Sequence, residues 1–155
     1  MKKLSLMIIL GVTLAASTPA LADDVADIKA AMKEHFVTFR AGDAAGHIAH
    51  HMASNSSFGP EGGALAVNDS PEEEIADLQA SFDEGFKFDF HLVDLEVAVF
   101  GDTAVVTSLQ IGTVTTPDGE SEKVKNRRTA VVIRDGSDWK EVHSHISLYT
   151  EESTD

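Results

Sequence analysis

The chain has 155 residues, no cysteine, and 26 acidic against 12 basic side chains, which give a formal net charge of −14. This acidic balance argues against a nucleic-acid partner and against adsorption to anionic membrane surfaces. Because there is no cysteine, the fold has no disulfide bonds and depends on packing alone.

The N-terminus has the pattern of a secretory signal peptide. A basic start at Lys2 and Lys3 precedes an apolar run that is too short to span a membrane. Ala20 and Ala22 then form a small-x-small cleavage site, so we expect the mature chain to begin at Asp23. The pattern predicts a secreted protein, which would be periplasmic if the source is Gram-negative.

The sequence predicts three segments in the chain. We expect a removed signal peptide at residues 1–22, a single domain at residues 23–150, and an acidic, disordered tail at residues 151–155. About 130 mature residues are enough for one domain with its own core. We expect no insertion of this domain into a membrane.

The helical segments come first in the mature chain. Its first segment carries apolar residues at helical spacing, and Gly42 ends that helix. Asp43 predicts the N-cap of a short second helix over residues 43–53. After a short strand and a glycine-rich loop, Ser70 followed by Pro71 predicts the start of a third helix.

The remainder of the chain has the pattern of a sheet. After Gly85 the apolar period changes to two, which predicts four long strands that run as an antiparallel meander. The alternation changes phase between Leu92 and Val93, which predicts a β-bulge or a strong bend. The sequence therefore predicts an α+β fold, in which N-terminal helices pack on a strongly curved antiparallel sheet with a pocket between them.

Three features of the chain together resemble one known family. They are the order of helices and strands, the loop SFGPEGG at residues 57–63, and the hairpin RTAVVIRDGSDWKEVHSHIS at residues 128–147. These features resemble the SnoaL-like, ketosteroid-isomerase-like domains of the nuclear-transport-factor-2-like superfamily. The final hairpin is similar also to that of the association domain of calcium/calmodulin-dependent kinase.

The resemblance implies a cone-shaped monomer with a pocket between helices and sheet, usually paired as a homodimer through the sheet. It also implies that isomerase, cyclase or dehydratase chemistry, simple binding and assembly all occur on this fold. We therefore expect an exported domain that binds a small, partly apolar molecule in its cone pocket. Two alternatives stay open, namely an enzyme with acid–base chemistry and an assembly or dimerisation module.

The last predicted strand supplies the central site prediction. His143 and His145 are two residues apart, so on a regular strand both imidazoles share a face with Trp139. In the enzyme alternative, His145 is the general acid or base and Arg128 on the neighbouring strand anchors an anionic group. The other predicted site residues are His91 as a second catalytic candidate and Trp139, Phe58, Glu61, Tyr149 and His143 in the ligand pocket.

The histidines also allow a metal alternative. His47 and His51 are four residues apart, so on a helix they share a face. Together with His143 and His145 they would form an all-imidazole zinc site. Because the chain has no HExxH or comparable signature, we predict no cofactor and keep this set as the lesser alternative.

Overall fold

The computed structural model describes residues 19–150, with side chains from residue 23 onward. The predicted signal peptide and acidic tail lie outside this part, apart from the backbone of residues 19–22, which begins the first helix. In chain order the elements are α1 (Pro19–Ala41), α2 (Ala44–Ile48), β1 (His51–Phe58), β2 (Ala66–Asn68), α3 (Pro71–Asp83), β3 (Lys87–Phe100), β4 (Thr103–Thr115), β5 (Ser121–Asp135) and β6 (Asp138–Leu148). Across the described residues, no helix has the length and apolar character needed to cross a bilayer.

Local signals start and stop the helices as the sequence predicts. α1 ends before Gly42, whose φ of +73° suits a residue without a Cβ. The Asp43 side chain caps α2 by accepting a hydrogen bond from the Gly46 amide at 2.8 Å. The Ser70 hydroxyl caps α3 by accepting from the Glu73 amide at 3.3 Å. The predicted beginnings of α2 and α3 are therefore confirmed.

The strands form one six-stranded sheet in the order β2-β1-β6-β5-β4-β3. Neighbouring strands are antiparallel except β1 and β6, which run parallel. The meander from β3 to β6 is confirmed, and β1 and β2 extend the sheet beyond its last strand. With the helices packed on one face of this curled sheet, the predicted α+β class is confirmed.

A bulge bends strand β3 where the apolar phase changes. The pairing of β3 with β4 shifts register between Val93 and Glu96. Asp94 lies inside this shift with φ +52°, and it is the one non-glycine residue with positive φ among residues 19–150. The predicted bulge is therefore confirmed, and it increases the local bend and twist of the sheet.

A second bulge, which was not predicted from the sequence, lies in β6. Glu141 pairs with Val132 and His143 pairs with Val131, so Val142 has no partner on β5. One extra residue reverses the alternation of a strand, because side chains point to opposite faces with a period of two.

This reversal changes the faces of the last strand. Trp139 lies on the concave face before the bulge, and Ser144 lies on it after the bulge, with both side chains buried. His143 and His145 turn to the convex face instead, where His145 is exposed. The prediction that both histidines share a face with Trp139 is wrong, because it assumed regular alternation through Val142.

The core lies between α1 and the concave face of the sheet. Ile28 and Met32 of α1 are 0% and 3% exposed, and they belong to one cluster with sheet residues. The sheet members of this cluster are Ala104, Val106, Ala130, Val132 and Trp139. An ion pair also ties the start of α1 to β5, since Arg134 Nη2 donates to Asp24 Oδ1 at 2.6 Å.

Strands β3 and β4 approach closely at Gly112, which predicts a marked effect of substitution there. A Cβ at this position would lie 1.8 Å from the carbonyl oxygen of Asp89, and backbone cannot move aside cheaply. We expect Gly112→Ala to lower the free energy of unfolding by about 2 kcal/mol or more. Gly59→Ala is the control, because no heavy atom lies within 4 Å of its added Cβ. Equal midpoints in urea for the two variants would contradict the close approach.

Candidate functional site

A cavity of about 680 Å³ opens between the helices and the concave face of the sheet. Its apolar wall is aromatic, and the ring centroid of Phe39 lies 5.0 Å from that of Phe88 and 5.9 Å from that of Phe90. Phe36 from α1 completes this wall. These rings provide a surface for the apolar part of a bound molecule.

A buried ion pair lies on the floor of the cavity. Arg128 on β5 and Glu141 on β6 are 4% and 5% exposed, and Arg128 Nη2 donates to Glu141 Oε2. The guanidinium carbon of Arg128 also lies 5.5 Å from the ring centroid of Phe36. Because each charge neutralises the other in a buried setting, removal of either partner alone leaves an uncompensated charge.

Three buried polar atoms around this pair have no protein hydrogen-bond partner within residues 19–150. They are Arg128 Nη1, Gln110 Oε1 and Asn126 Oδ1, and all three residues line the cavity. Gln110 pairs with Asn126 across β4 and β5, so the two amides lie side by side. Since buried polar groups are almost always hydrogen-bonded, these three are available to a bound molecule.

Three histidines meet where α1, α2 and β1 come together at the cavity. His35 Nε2 lies 3.2 Å from His47 Nε2 and 3.1 Å from His51 Nε2. The ligand atoms of the three all lie within 4.8 Å of one another, so this trio is a group that could hold a metal ion. All three side chains line the cavity.

The outer nitrogens of two of these histidines are held by hydrogen bonds. His47 Nδ1 lies 3.0 Å from the backbone oxygen of His35, and His51 Nδ1 lies 2.9 Å from Glu74 Oε1. Asn55 and Asn68 donate their side-chain amides to Glu74 at 3.0 Å and 3.3 Å. The carboxylate of α3 is therefore fixed, and it orients His51.

Burial sets the charge states of this cluster. Burial lowers the pKa of His35 well below its ordinary value and lowers the pKa of His47 to about 4. Burial would raise the pKa of Glu74, but hydrogen bonds from His51 and Asn55 outweigh it, and the pKa is lowered. Near neutral pH the cluster therefore contains neutral imidazoles at His35 and His47 beside an ionised carboxylate.

The predicted site residues separate into two groups. Arg128, Glu61 and Tyr149 lie among the residues that line the cavity, and Glu61 and Tyr149 are exposed. His143 lies on the convex face with Nδ1 2.9 Å from Ser56 Oγ. His145 is exposed on that same face, so the structure contradicts its predicted pairing with Arg128.

Phe58, Trp139 and His91 are also absent from the residues that line this cavity. The ring of Phe58 packs against His143 and His145, with centroids 6.0 Å and 5.6 Å apart, because alternation in β1 turns its neighbour Ser57 inward. Trp139 belongs to the core cluster. His91 is exposed, with Nε2 3.1 Å from Asp89 Oδ1. Their predicted placement in the pocket or catalytic site is therefore corrected.

The structure also contradicts the predicted zinc site made of His47, His51, His143 and His145. His47 and His51 do meet, but α2 ends at Ile48 and His51 begins β1, so a shared helix face is not the reason. Within residues 19–150, the histidine that groups with His47 and His51 is His35. His143 and His145 lie on the other face of the sheet.

Most of the polar lining lies outside the set of residues predicted from the sequence. His35 carried a usable signal, since it follows Ile28 by seven residues and Met32 by three, and so falls on the buried stripe of α1. Glu74 gave no separate signal, because an acid in the first turn of a helix is common. Gln110 and Asn126 are ordinary polar residues in strands, and only the register of the sheet brings them together.

Comparisons with known proteins agree with this fold. Residues 28–151 match the family model described as SnoaL-like domain, while no curated protein matches the chain. A protein of unknown function from Mycobacterium tuberculosis superposes with a TM-score of 0.71 and 15% identity, covering 86% of this chain and 80% of that one.

Two further solved structures are similar over most of their length. A ketosteroid isomerase-like protein from Erwinia carotovora atroseptica has a TM-score of 0.66 and 22% identity, covering 83% of this chain and 98% of that one. The S. rosetta CaMKII hub has a TM-score of 0.62 and 25% identity, covering 81% of this chain and 96% of that one. These likenesses concern the fold.

The low pKa of His47 predicts a loss of stability in mild acid. An unfolded histidine binds its proton near pH 6.5, whereas folded His47 binds it near pH 4, so the unfolded state holds more protons between these values. The free energy of unfolding should therefore fall as the pH falls from about 6.5 to about 4, by on the order of 3 kcal/mol from this residue. Urea unfolding of chelator-treated protein across this range measures the loss.

Two variants isolate the contribution of His47 from that of other groups. His47→Gln should make the pH dependence shallower, because glutamine does not titrate, while the buried His35 still contributes. His145→Gln, at an exposed position, should leave it as in the wild type. Parallel pH profiles for wild type and His47→Gln would contradict the assignment.

Proposed function

The chain belongs to the SnoaL-like domain family, and on that basis we propose that it binds a small, partly apolar molecule in the cavity between its helices and its sheet. The observation that carries the proposal is a set of buried polar atoms at Arg128, Gln110 and Asn126 on the cavity floor, which have no hydrogen-bond partner among residues 19–150. The aromatic wall lines the same cavity. Such a cavity suits a molecule with an apolar body and a hydrogen-bonding head.

The size and charge of the cavity narrow the class of ligand. A volume of about 680 Å³ is in the range of about 300–1,000 Å³ that small-molecule sites usually have. Because Glu141 already balances Arg128, this guanidinium does not by itself require an anionic ligand. A carbonyl or hydroxyl group can accept from Arg128 Nη1, and a hydroxyl or amine can donate to Gln110 and Asn126.

A second candidate is an enzyme that uses His51 and Glu74 in acid–base chemistry. The observation in its favour is the hydrogen bond from His51 to a fixed carboxylate at the cavity, which orients an imidazole as catalytic bases require. This pair takes the place of His145, which lies on the convex face. The enzyme candidate therefore shares the ligand with the binding candidate and differs only in turnover.

The binding proposal predicts retention of a small molecule by protein purified from its own host, detected by native mass spectrometry in the presence of a chelator. The paired variant Arg128→Met with Glu141→Met removes both charges together and should reduce retention at least tenfold, as should Asn126→Leu. Arg127→Met is the matched control, because this neighbouring arginine is exposed. Retention that is equal in the paired variant and the control would contradict the proposal.

The same preparation separates binding from catalysis. For the enzyme candidate, the retained molecule changes mass when it is incubated with wild-type protein, and His51→Gln stops this change without abolishing retention. A retained molecule whose mass does not change during prolonged incubation with wild-type protein would contradict the enzyme candidate. It would leave the binding proposal unaffected.

We further propose that the mature chain works outside the cytoplasm as a homodimer through its sheet. The signal-peptide pattern supports export, and Asp24, the second residue of the proposed mature chain, already pairs with Arg134. Fold likeness to a protein named as a hub supports assembly.

Expression of the whole chain in a Gram-negative host tests export and dimerisation together. Native mass spectrometry of the periplasmic fraction should give twice the mass of a chain that begins at Asp23. An uncleaved chain would contradict export, and a mass equal to one mature chain at micromolar concentration would contradict the dimer.

A further inference from the structure

We propose that His35, His47 and His51 together bind one divalent transition-metal ion, with zinc as the first choice, through their Nε2 atoms. This site goes beyond the proposed small-molecule binding and does not depend on it, but zinc on His51 Nε2 would exclude the enzyme candidate, which needs that atom free. Its ligands come from three separate elements, α1, α2 and β1, which explains why no short metal-binding motif marks it in the sequence.

The spacing of the nitrogens matches what a tetrahedral ion requires. Zinc binds imidazole nitrogen at about 2.0–2.1 Å, so two ligands of a tetrahedron lie about 3.3 Å apart. His35 Nε2 lies 3.2 Å from His47 Nε2 and 3.1 Å from His51 Nε2. The third pair lies within the 4.8 Å that encloses the whole trio. A small contraction of the group would bring all three nitrogens to one ion.

The outer hydrogen bonds favour this set of coordinating atoms. His47 donates its Nδ1 proton to a backbone oxygen, and His51 donates its Nδ1 proton to Glu74, when each imidazole is neutral with its proton on Nδ1. That tautomer leaves a lone pair on Nε2 of each ring, directed into the trio. Histidine ligands of metals usually have such a carbonyl or carboxylate partner, which fixes the ring and raises its basicity.

His35 is the ligand that must adjust. Its ring stacks on His47 with an angle of 22° between the planes and 4.0 Å between the centroids, so the two Nε2 lone pairs lie in separate, nearly parallel planes. Rotation of His35 about its Cβ–Cγ bond makes the lone pairs converge. Because His35 Nδ1 has no partner among the described residues, this rotation breaks no hydrogen bond of that atom.

The surroundings suit a catalytic or ligand-binding metal more than a purely structural one. Three protein ligands leave the fourth position of a tetrahedron open, and all three histidines line the main cavity. His47 and His51 also line a second cleft of about 560 Å³ that α3 and β2 help to form, which gives an ion a route to the site. The all-imidazole donor set favours zinc and its first-row neighbours over calcium or magnesium.

The test is a titration of zinc into tag-free, chelator-stripped and dialysed protein at about pH 7.5, followed by calorimetry and elemental analysis. We expect about one zinc ion per chain and a higher melting temperature. His47→Gln and His51→Gln should each weaken binding at least a hundredfold, and Glu74→Gln should weaken it about 10–100-fold by releasing His51. His145→Gln, on the convex face, is the matched control and should bind as the wild type does.

The possible outcomes all decide the proposal. Wild-type protein without stoichiometric zinc, or equal loss in His51→Gln and His145→Gln, would overturn it. If the variants of the trio fail to fold, X-ray absorption on the zinc-loaded wild type still counts the imidazole ligands, and fewer than three would overturn the site. Retention of a small molecule is measured with chelator present, so failure of zinc binding leaves the binding proposal standing, and the reverse also holds.

Discussion

The bend of the sheet is the constraint on which the cavity depends. Strand β3 turns at the bulge around Asp94, and the backbones of β3 and β4 approach closely at Gly112. A bent sheet cannot be covered over its whole length by one straight helix. α1 therefore packs its apolar residues on one part of the concave face, and space remains over the rest. The other helices and β1 close the sides of this space.

The polar residues that line this space lower the stability of the fold, which indicates that they have a functional role. A buried ion pair between Arg128 and Glu141 is weak evidence for stability, because well-packed apolar residues of similar size are often as stable or more so. The side-chain oxygens of Gln110 and Asn126, which are buried without a partner in the described part of the chain, add to the cost. Proteins retain such groups mainly where a ligand or a reaction needs them, so local rules fail here while they hold in the rest of the fold.

Much of the fold follows from the sequence because its signals are local. The N-caps at Asp43 and Ser70 act within one helical turn, and the phase change near Val93 is visible in β3 alone. The site depends instead on long-range pairing. The bulge at Val142 leaves only a weak mark in β6, where Trp139 is the apolar residue before it and Ile146 and Leu148 follow with the opposite parity. A prediction from regular alternation therefore places His145 on the wrong face, and it leaves out His35 on the helix.

The bulge at Val142 also bears on how this domain changes during evolution. A bulge is a difference of one residue in length between two paired strands, so an insertion or deletion of a single codon can create or remove it. In β6 such an event would exchange the two faces from that point to the end of the strand. The histidines of the convex face would replace Ser144 and Ile146 as cavity floor, while β5 and its Arg128 stayed in place. Families built on this sheet therefore have a route to new pocket chemistry that needs neither a new fold nor a series of point mutations.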